Sequence, residues 1–427
     1  MKERGAHVDS YYAATANFIP DHPRLEENIR CDVCIIGGGL TGVSTALHLA
    51  ERGSDVVLLE SQRVGWGASG RNGGQLGSGQ RKNQDELESM LGKVHARVLW
   101  ELAEESKTTA KKLIARYQIQ CDQKPGILHP THKAAYVDGA HRYADKLQNE
   151  YGYEAIRIIS TAQMREMLGT DAYYGGWLDT GALHLHPLNY VLGLAHAATD
   201  NGAKIFEESR VTHYTNGRRV VIHTNKGTVD AGFLVIGCNG YLQNLESKID
   251  RKIMPINNFI LATEPLGQER ARQLIRDDVA VADSKFVINY FRLSADKRLL
   301  FGGGENYTKN FPRDIKSFVR HYMLKIYPGL EQARIDYAWG GTLAVTLNRM
   351  PHFGRLENNV LYAQGYSGHG VAMATLAGKL IAQAITGDAE KFETFSSVPT
   401  PTFPGGRYLR WPALVLGMLY FSLRDRL

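Results

Sequence analysis

Between residues 31 and 60 the chain reads CDVCIIGGGLTGVSTALHLAERGSDVVLLE. A short apolar run stops at three glycines. Apolar and small residues then recur at helical spacing, and a second apolar run follows Gly53. The pattern predicts strand, glycine turn, helix and strand, with Gly53 as the stop of the helix. Further on, Leu87, Met90, Leu91, Val94, Val98, Leu99 and Leu102 keep helical spacing through a charged, glycine-poor stretch, so 84–117 reads as one or two helices. GILHPTHKAAYVD, from Gly126, alternates enough for a strand or hairpin. Residues 187–201 and 311–327 read as helices. RRVVIHTN and FLVIGCNG, within 204–240, read as strands, and 254–263 and 286–302 as aromatic and β-branched sheet. A strand at 360–363 leads into a helix at 371–386, and no internal repeat or low-complexity segment interrupts the pattern.

The order of these elements carries the architecture. The opening βαβ unit finds strands to complete its sheet only near 205–240 and 355–386, with a sheet-rich block between them. That order predicts an α/β fold: a discontinuous Rossmann-like dinucleotide-binding domain with an inserted α+β substrate domain carrying a mixed sheet. The first takes residues 31–120, 181–245 and 340–395; the second takes 121–180 and 246–339. Residues 1–30, polar and holding Pro20 and Pro23, read as an extended N-terminal arm, and 396–427 as a C-terminal tail.

Composition narrows the chemistry. With 43% hydrophobic and 22% charged residues among 427, the chain has the make-up of an ordinary soluble protein that can bury a core and a ligand site. The net charge of +6 is spread along the chain without the basic block that tracks nucleic acid. Four cysteines are too few for a disulfide framework. Cys31 and Cys34 spell C-x-x-C inside a strand, where residues three apart face opposite sides, so a redox pair is not expected. No H-E-x-x-H pair or other ligand spacing marks a metal site. No signal-peptide pattern opens the chain, and its longest apolar run, Trp411 to Phe421, is far short of the ~20 residues that span a bilayer. A cytoplasmic protein with no transmembrane span is expected.

Gly37, Gly39 and Gly42 form G-x-G-x-x-G between an apolar strand and a helix, and Glu60 ends the next strand. In that setting Gly37 permits the tight turn, Gly39 lets the backbone approach a pyrophosphate, and Gly42 lets the helix lie close on the strand. The helix start, with Leu40 and Thr41, offers N–H groups to phosphates, and Glu60 accepts ribose hydroxyls, which favours NAD or FAD over NADP. GASGRNGGQ follows directly, and a glycine segment there suits close passage under a flat ring. Gly73 and Gly74 would lie against the ring, with Arg71 and Asn72 as polar fixings. A second glycine turn, GYSGHG from Gly365, opens the late helix at the same sheet edge, where VIGCNGY ends another strand.

CDVCIIGGGLTG, GWGASGRNGGQ, NRMPHFGR, GYSGHGV, FPGGRYLR and SLRDRL together resemble the FAD-dependent D-amino-acid oxidase family, which includes glycine and sarcosine oxidases and the amine oxidoreductases of bacterial putrescine degradation. The resemblance runs nearly the whole chain. It implies FAD held by Gly37, Gly39, Leu40, Thr41, Gly42, Glu60, Ser69, Gly70, Arg71, Asn72, Gly73, Gly74, Val211, Gly240, Gly365, Ser367, Gly368, His369 and Gly370. It also implies a mixed sheet laid over one flavin face, and oxidation of the amine of a γ-glutamylated substrate to an imine. The alternative within the same family is a membrane-linked FAD dehydrogenase of D-amino acids or secondary amines.

That chemistry sets the expected site. The amine must be neutral to release a hydride, so an apolar wall must lower its pKa from about 10.4. Trp339, Tyr290 and Phe259 are expected there, with Tyr290 also able to bond the substrate and His369 able to assist the helix start at the flavin. Each of these side chains also fits plain core packing or a turn. Arg292 and Arg349 are candidates for the substrate carboxylate, or for structural ion pairs. Some sarcosine oxidases, in the family this chain resembles, carry a lysine over the flavin that helps oxygen react; the aligned segment near Leu300 has none. Oxygen and a quinone both stand as acceptors. The apolar tail, flanked by Arg410, Arg424 and Arg426, fits either weak membrane contact or a helix packed on the body.

Overall fold

A computed structural model describes residues 5–304, 310–405, 409–412 and 415. Two sheets organise them. Five parallel strands form the centre of the first, in the order Val360–Gln364, Thr228–Ile236, Ile29–Ile36, Val56–Leu59 and Lys204–Phe206. Antiparallel additions bring it to eight strands. Alternation within each central strand divides the core. Val33, Ile35, Val56 and Leu58 face the helices Leu40–Ala50, Lys93–Arg116, Pro187–Asp200 and Gly370–Ile385. Cys34, Ile36, Val57 and Leu59 face a smaller cluster closed by Val220–Thr224. Cys31 joins Cys34 in that second cluster, contrary to strict alternation. Both thiols are free and buried, and burial pushes Cys31 up to about 12, so neither is a poised thiolate.

The second sheet has nine strands and mixed direction. Three expected boundaries shift. Gln75–Leu76 pairs with Gly176–His184 in the second sheet, so the segment 31–120 gives a strand to both sheets. The division at 180/181 falls inside Gly176–His184, and the one at 339/340 inside Ile335–Val345. Glycines at these points look like strand ends but are strand interior. At Gly340 a Cβ would come within 2.6 Å of Phe311 and 2.8 Å of Phe259, whose rings take the space of a side chain.

The arm also differs from its expected extended form. Ser10 caps a short helix, Tyr11–Ala14, by accepting from the Ala13 N–H. Tyr12 is fully buried, its ring edge-on to Trp339 at 5.1 Å and to His186 at 4.9 Å. Apolar side chains that a polar context hides in sequence thus plug the seam between the sheets. Among the described residues no helix is long and apolar enough to cross a membrane. The tail run from Trp411 to Phe421 lies mostly outside them; at its start Arg410 donates to the carbonyls of Asp250 and Ile253, each at 2.9 Å.

Candidate active site

A cavity of about 1200 Å³ runs between the carboxyl edge of the first sheet and the second sheet. Two buried helices start on it. Leu40–Ala50 begins at Gly39 and Gly370–Ile385 at His369, and neither N-cap residue bonds its own first turn, although the Leu40 N–H donates to Ser69 Oγ at 2.9 Å. Such starts leave first-turn N–H groups and the positive ends of two helix dipoles for a ligand. The starts are tied together: the Thr41 hydroxyl meets the Tyr366 hydroxyl at 2.6 Å, and Ser44 Oγ donates to the Thr375 carbonyl at 2.7 Å. Gly378 lets the helices touch, since a Cβ there would lie 2.5 Å from Ser44.

Glu60 lines the same cavity. One carboxylate oxygen accepts from the Gly38 N–H at 2.7 Å, the other from Gln62 N–H at 2.8 Å and Ser61 Oγ at 3.1 Å. Burial raises its pKa, against the pull of these donors. Arg71 donates to the Trp66 carbonyl at 2.6 Å and the Gly340 carbonyl at 3.1 Å, and its guanidinium lies 4.0 Å over the Trp66 ring. Its remaining nitrogen, Nη2, is buried without a partner. A buried cationic donor left open in a cavity wall calls for an acceptor on a ligand.

Residues 32–384 match the model of a protein family described as FAD dependent oxidoreductase, DAO. The chain belongs to that family. It is similar to the γ-glutamylputrescine oxidoreductase of Escherichia coli (strain K12), 42% identical over 422 residues covering 99% of each chain. Its fold is similar to that of glycine oxidase from Geobacillus kaustophilus, with a TM-score of 0.71 at 21% identity over 84% of this chain and 95% of that one. L-proline dehydrogenase from P. horikoshii superposes with a TM-score of 0.68 at 24% identity, covering 84% and 94%.

FAD is therefore the cofactor, and the cavity fits it. Two helix starts suit its phosphates and its electron-rich ring end, Glu60 suits ribose hydroxyls, and Arg71 Nη2 suits a ring or phosphate oxygen. Of the residues expected to hold it, Gly37, Gly39, Leu40, Thr41, Glu60, Ser69, Arg71, Asn72, Gly73, Val211, Ser367, Gly368, His369 and Gly370 line the cavity.

Five expected contact glycines instead lie one layer back. A Cβ would come 1.9 Å from the Gly37 carbonyl oxygen at Gly42, 2.3 Å from that of Gly65 at Gly70, and 2.0 Å from that of Leu185 at Gly74. At Gly240 it would meet the Thr342 and Leu343 backbone, each at 3.1 Å, and at Gly365 the Thr346 methyl at 2.5 Å. They let the cradle close on itself. Asn72 works the same way: its amide donates to the Ala68 and Ser69 carbonyls, both at 2.9 Å, and accepts from the Gly74 N–H at 2.8 Å.

Three of the expected substrate-side residues are not in the cavity wall. Trp339 is 2% exposed and donates to the Arg71 carbonyl at 3.0 Å. Phe259 faces away, into the cluster on the sheet's far side, against Phe311 and Phe318. Arg292 is buried and donates to the Gly73 carbonyl at 2.9 Å, the Leu185 carbonyl at 2.8 Å and the Tyr12 hydroxyl at 3.2 Å. It clamps the glycine loop. Tyr290 and Arg349 do line the cavity, and the Tyr290 hydroxyl donates to the Asn258 side chain.

The wall is built by residues that sequence reading passed over: Asn257, Asn258, Phe286, Val287, Ile288 and Leu343, with His129 stacked on Trp177 at 3.7 Å. Asn257 and Asn258 carry a legible signal, since asparagine is depleted within strands. Asp283 closes the loop that holds Phe286 to Ile288, accepting from Asn289 N–H at 3.0 Å and Asn289 Nδ2 at 2.8 Å.

The His369 imidazole is held down at about 4, mainly by burial, with Arg81 and Lys107 adding like-charge repulsion. It is neutral at physiological pH, so any positive field at this end comes from the helix start and the arginines. Because its folded pKa lies below the ordinary 6.5, the stability gained by keeping it neutral is present above 6.5 and lost as pH falls towards 4. In FAD-free protein, the imidazole resonances of His369 are expected not to move between pH 6 and 8. A midpoint near the ordinary value of about 6.5 contradicts this.

Proposed function

We propose that this protein oxidises the primary amine of a γ-glutamylated diamine, γ-glutamylputrescine above all, to an imine that hydrolyses to the aldehyde and ammonia, in putrescine catabolism. The end-to-end likeness to the E. coli enzyme carries the choice of substrate. FAD, when bound, supplies the hydride acceptor.

The chain's own residues do the rest. Phe286, Val287, Ile288 and Leu343 exclude water from the amine and so favour its neutral form. Asn258 and Tyr290 form a fixed polar pair on that wall that can orient the amine nitrogen. Gly73 permits this approach, since a Cβ there would lie 2.7 Å from the Tyr290 ring. Trp339 supports the cradle from behind and takes no part in the chemistry. Oxygen, giving hydrogen peroxide, or a quinone would take the electrons from the cofactor. Four unpaired thiols fit a cytoplasmic setting.

Anaerobic addition of γ-glutamylputrescine to the yellow protein is expected to bleach the visible flavin band within seconds. A band that persists overturns the substrate assignment, and admitting air to the bleached sample distinguishes oxygen from another acceptor. Trp339→Phe is expected to leave kcat within about twofold while lowering stability by about 1–3 kcal/mol, the cost of orphaning the Arg71 carbonyl. A tenfold loss of kcat at unchanged stability restores Trp339 to the reacting wall.

A further inference from the structure

Four arginines line the cavity, and two of them are engaged. Arg71 is bound to backbone carbonyls, and Arg210 donates to the Gln243 side chain. Arg81 and Arg349 differ. Among the described residues, neither guanidinium has a hydrogen bond or an ion pair. The two carboxylates of the wall are held elsewhere, Glu60 by the Gly38 and Gln62 N–H groups and Asp283 by Asn289. Glu86, the acid nearest Arg81 in influence, is paired with Lys82 at 2.6 Å.

Both side chains border the same cavity. Arg349 is pushed down to about 10, chiefly by burial, with the charge of Arg81 adding to it. Arg81 is exposed on the cavity wall, and its charge also reaches His369. Two like charges facing one cavity favour an anion that joins them. The backbone at Arg349 is itself strained, with φ at 62°, a region non-glycine residues rarely adopt. The Thr346 carbonyl accepts its N–H at 3.2 Å, and the Phe286 ring lies 5.4 Å from its guanidinium. Arg349, flanked by this ring, and Arg81 line one cavity.

We infer that Arg81 and Arg349 form a two-arginine anion subsite that takes the α-carboxylate of the substrate's γ-glutamyl group, far from the amine being oxidised. This rests on the γ-glutamylated substrate proposed above. Two planar guanidiniums can share one carboxylate through charge-assisted bonds, and the aromatic flank keeps water from competing. The subsite would make the enzyme select acylated diamines bearing a carboxylate over free diamines. The same chemistry could serve an anionic group of FAD, and the test separates the two.

The experiment uses FAD-loaded parent, Arg81→Gln and Arg349→Gln, with γ-glutamylputrescine and N-acetylputrescine, which lacks the carboxylate. The parent's preference, the ratio of the two kcat/KM values, is expected to fall about 10- to 100-fold in each variant, mainly through KM for the γ-glutamyl compound. The double variant should be little worse than the weaker single variant, because one ligand is shared. An unchanged preference overturns the inference, as does a loss of FAD affinity with both substrates falling together, which assigns the arginines to the cofactor. If FAD-loaded parent oxidises neither compound, the proposed function fails on its own. The subsite is then tested by glutarate, which should perturb the parent's flavin spectrum and leave that of the double variant unmoved; equal perturbation overturns it.

Discussion

Gly42→Ala is expected to abolish FAD retention and to lower thermal stability sharply. An added Cβ would sit 1.9 Å from the Gly37 carbonyl oxygen, 3.1 Å from its carbon and 3.2 Å from the Ile35 side chain. Every one of these neighbours is turn backbone or buried strand, so none can swing aside. The helix cannot retreat either. Thr41 is held to Tyr366, Ser44 to the Thr375 carbonyl, and Gly378 is packed on Ser44. Overpacking a core by a methyl typically costs about 1–3 kcal/mol when neighbours can adjust, and here they cannot. Any shift that relieves the clash moves the N–H groups of the helix start away from the phosphates they would hold. The ratio of visible flavin to protein absorbance after gel filtration, with a melting curve, checks this. A yellow variant that melts with the parent contradicts it.

Arg292→Leu is expected to destabilise the protein by about 3–5 kcal/mol and to weaken FAD binding, with little direct effect on substrate recognition. Arg292 is 4% exposed, and its guanidinium joins three otherwise separate parts: the Gly73 carbonyl in the glycine loop, the Leu185 carbonyl before helix Pro187–Asp200, and the Tyr12 hydroxyl of the N-terminal arm. Leucine leaves those acceptors buried and unpaired. Lysine is not expected to rescue, because one ammonium cannot reproduce a planar fork aimed at several acceptors. Melting curves with and without added FAD, set beside KM, decide the matter. A raised KM with parental stability and FAD affinity would return Arg292 to the substrate.

The opposite faces of neighbouring positions explain why such assignments needed the folded chain. Tyr290 and Phe291 are adjacent aromatic residues of one strand, Tyr290–Leu293. Tyr290 lines the cavity, whereas Phe291 packs in the cluster on the far side of the sheet with Phe259. Alternation says that they part, but not which side meets the cofactor. Trp339 pairs across strands with Ile260, and both belong to the core between the sheets. Its ring therefore supports Arg71 from behind. Arg81, a single arginine after a glycine run, carries no signal in the sequence; only the folded chain puts it on the same cavity wall as Arg349.

The sequence by itself determined the cofactor cradle. G-x-G-x-x-G, the acid at Glu60, the GRNGG segment and the second glycine turn act through backbone conformation and close approach within short stretches, so residue type and spacing suffice. Glycine is legible because nothing else fits where it is needed, although whether it touches the ligand or only lets the cradle close is not. The tertiary structure alone decided which side chains line the cavity, that Gly181 and Gly340 lie inside strands, and the burial of Tyr11 and Tyr12 in the short N-terminal helix. These depend on strands paired across many tens of residues, such as Met254–Thr263 with Ile335–Val345. Their register, set by the packing of both faces at once, chooses which side chains reach the cavity.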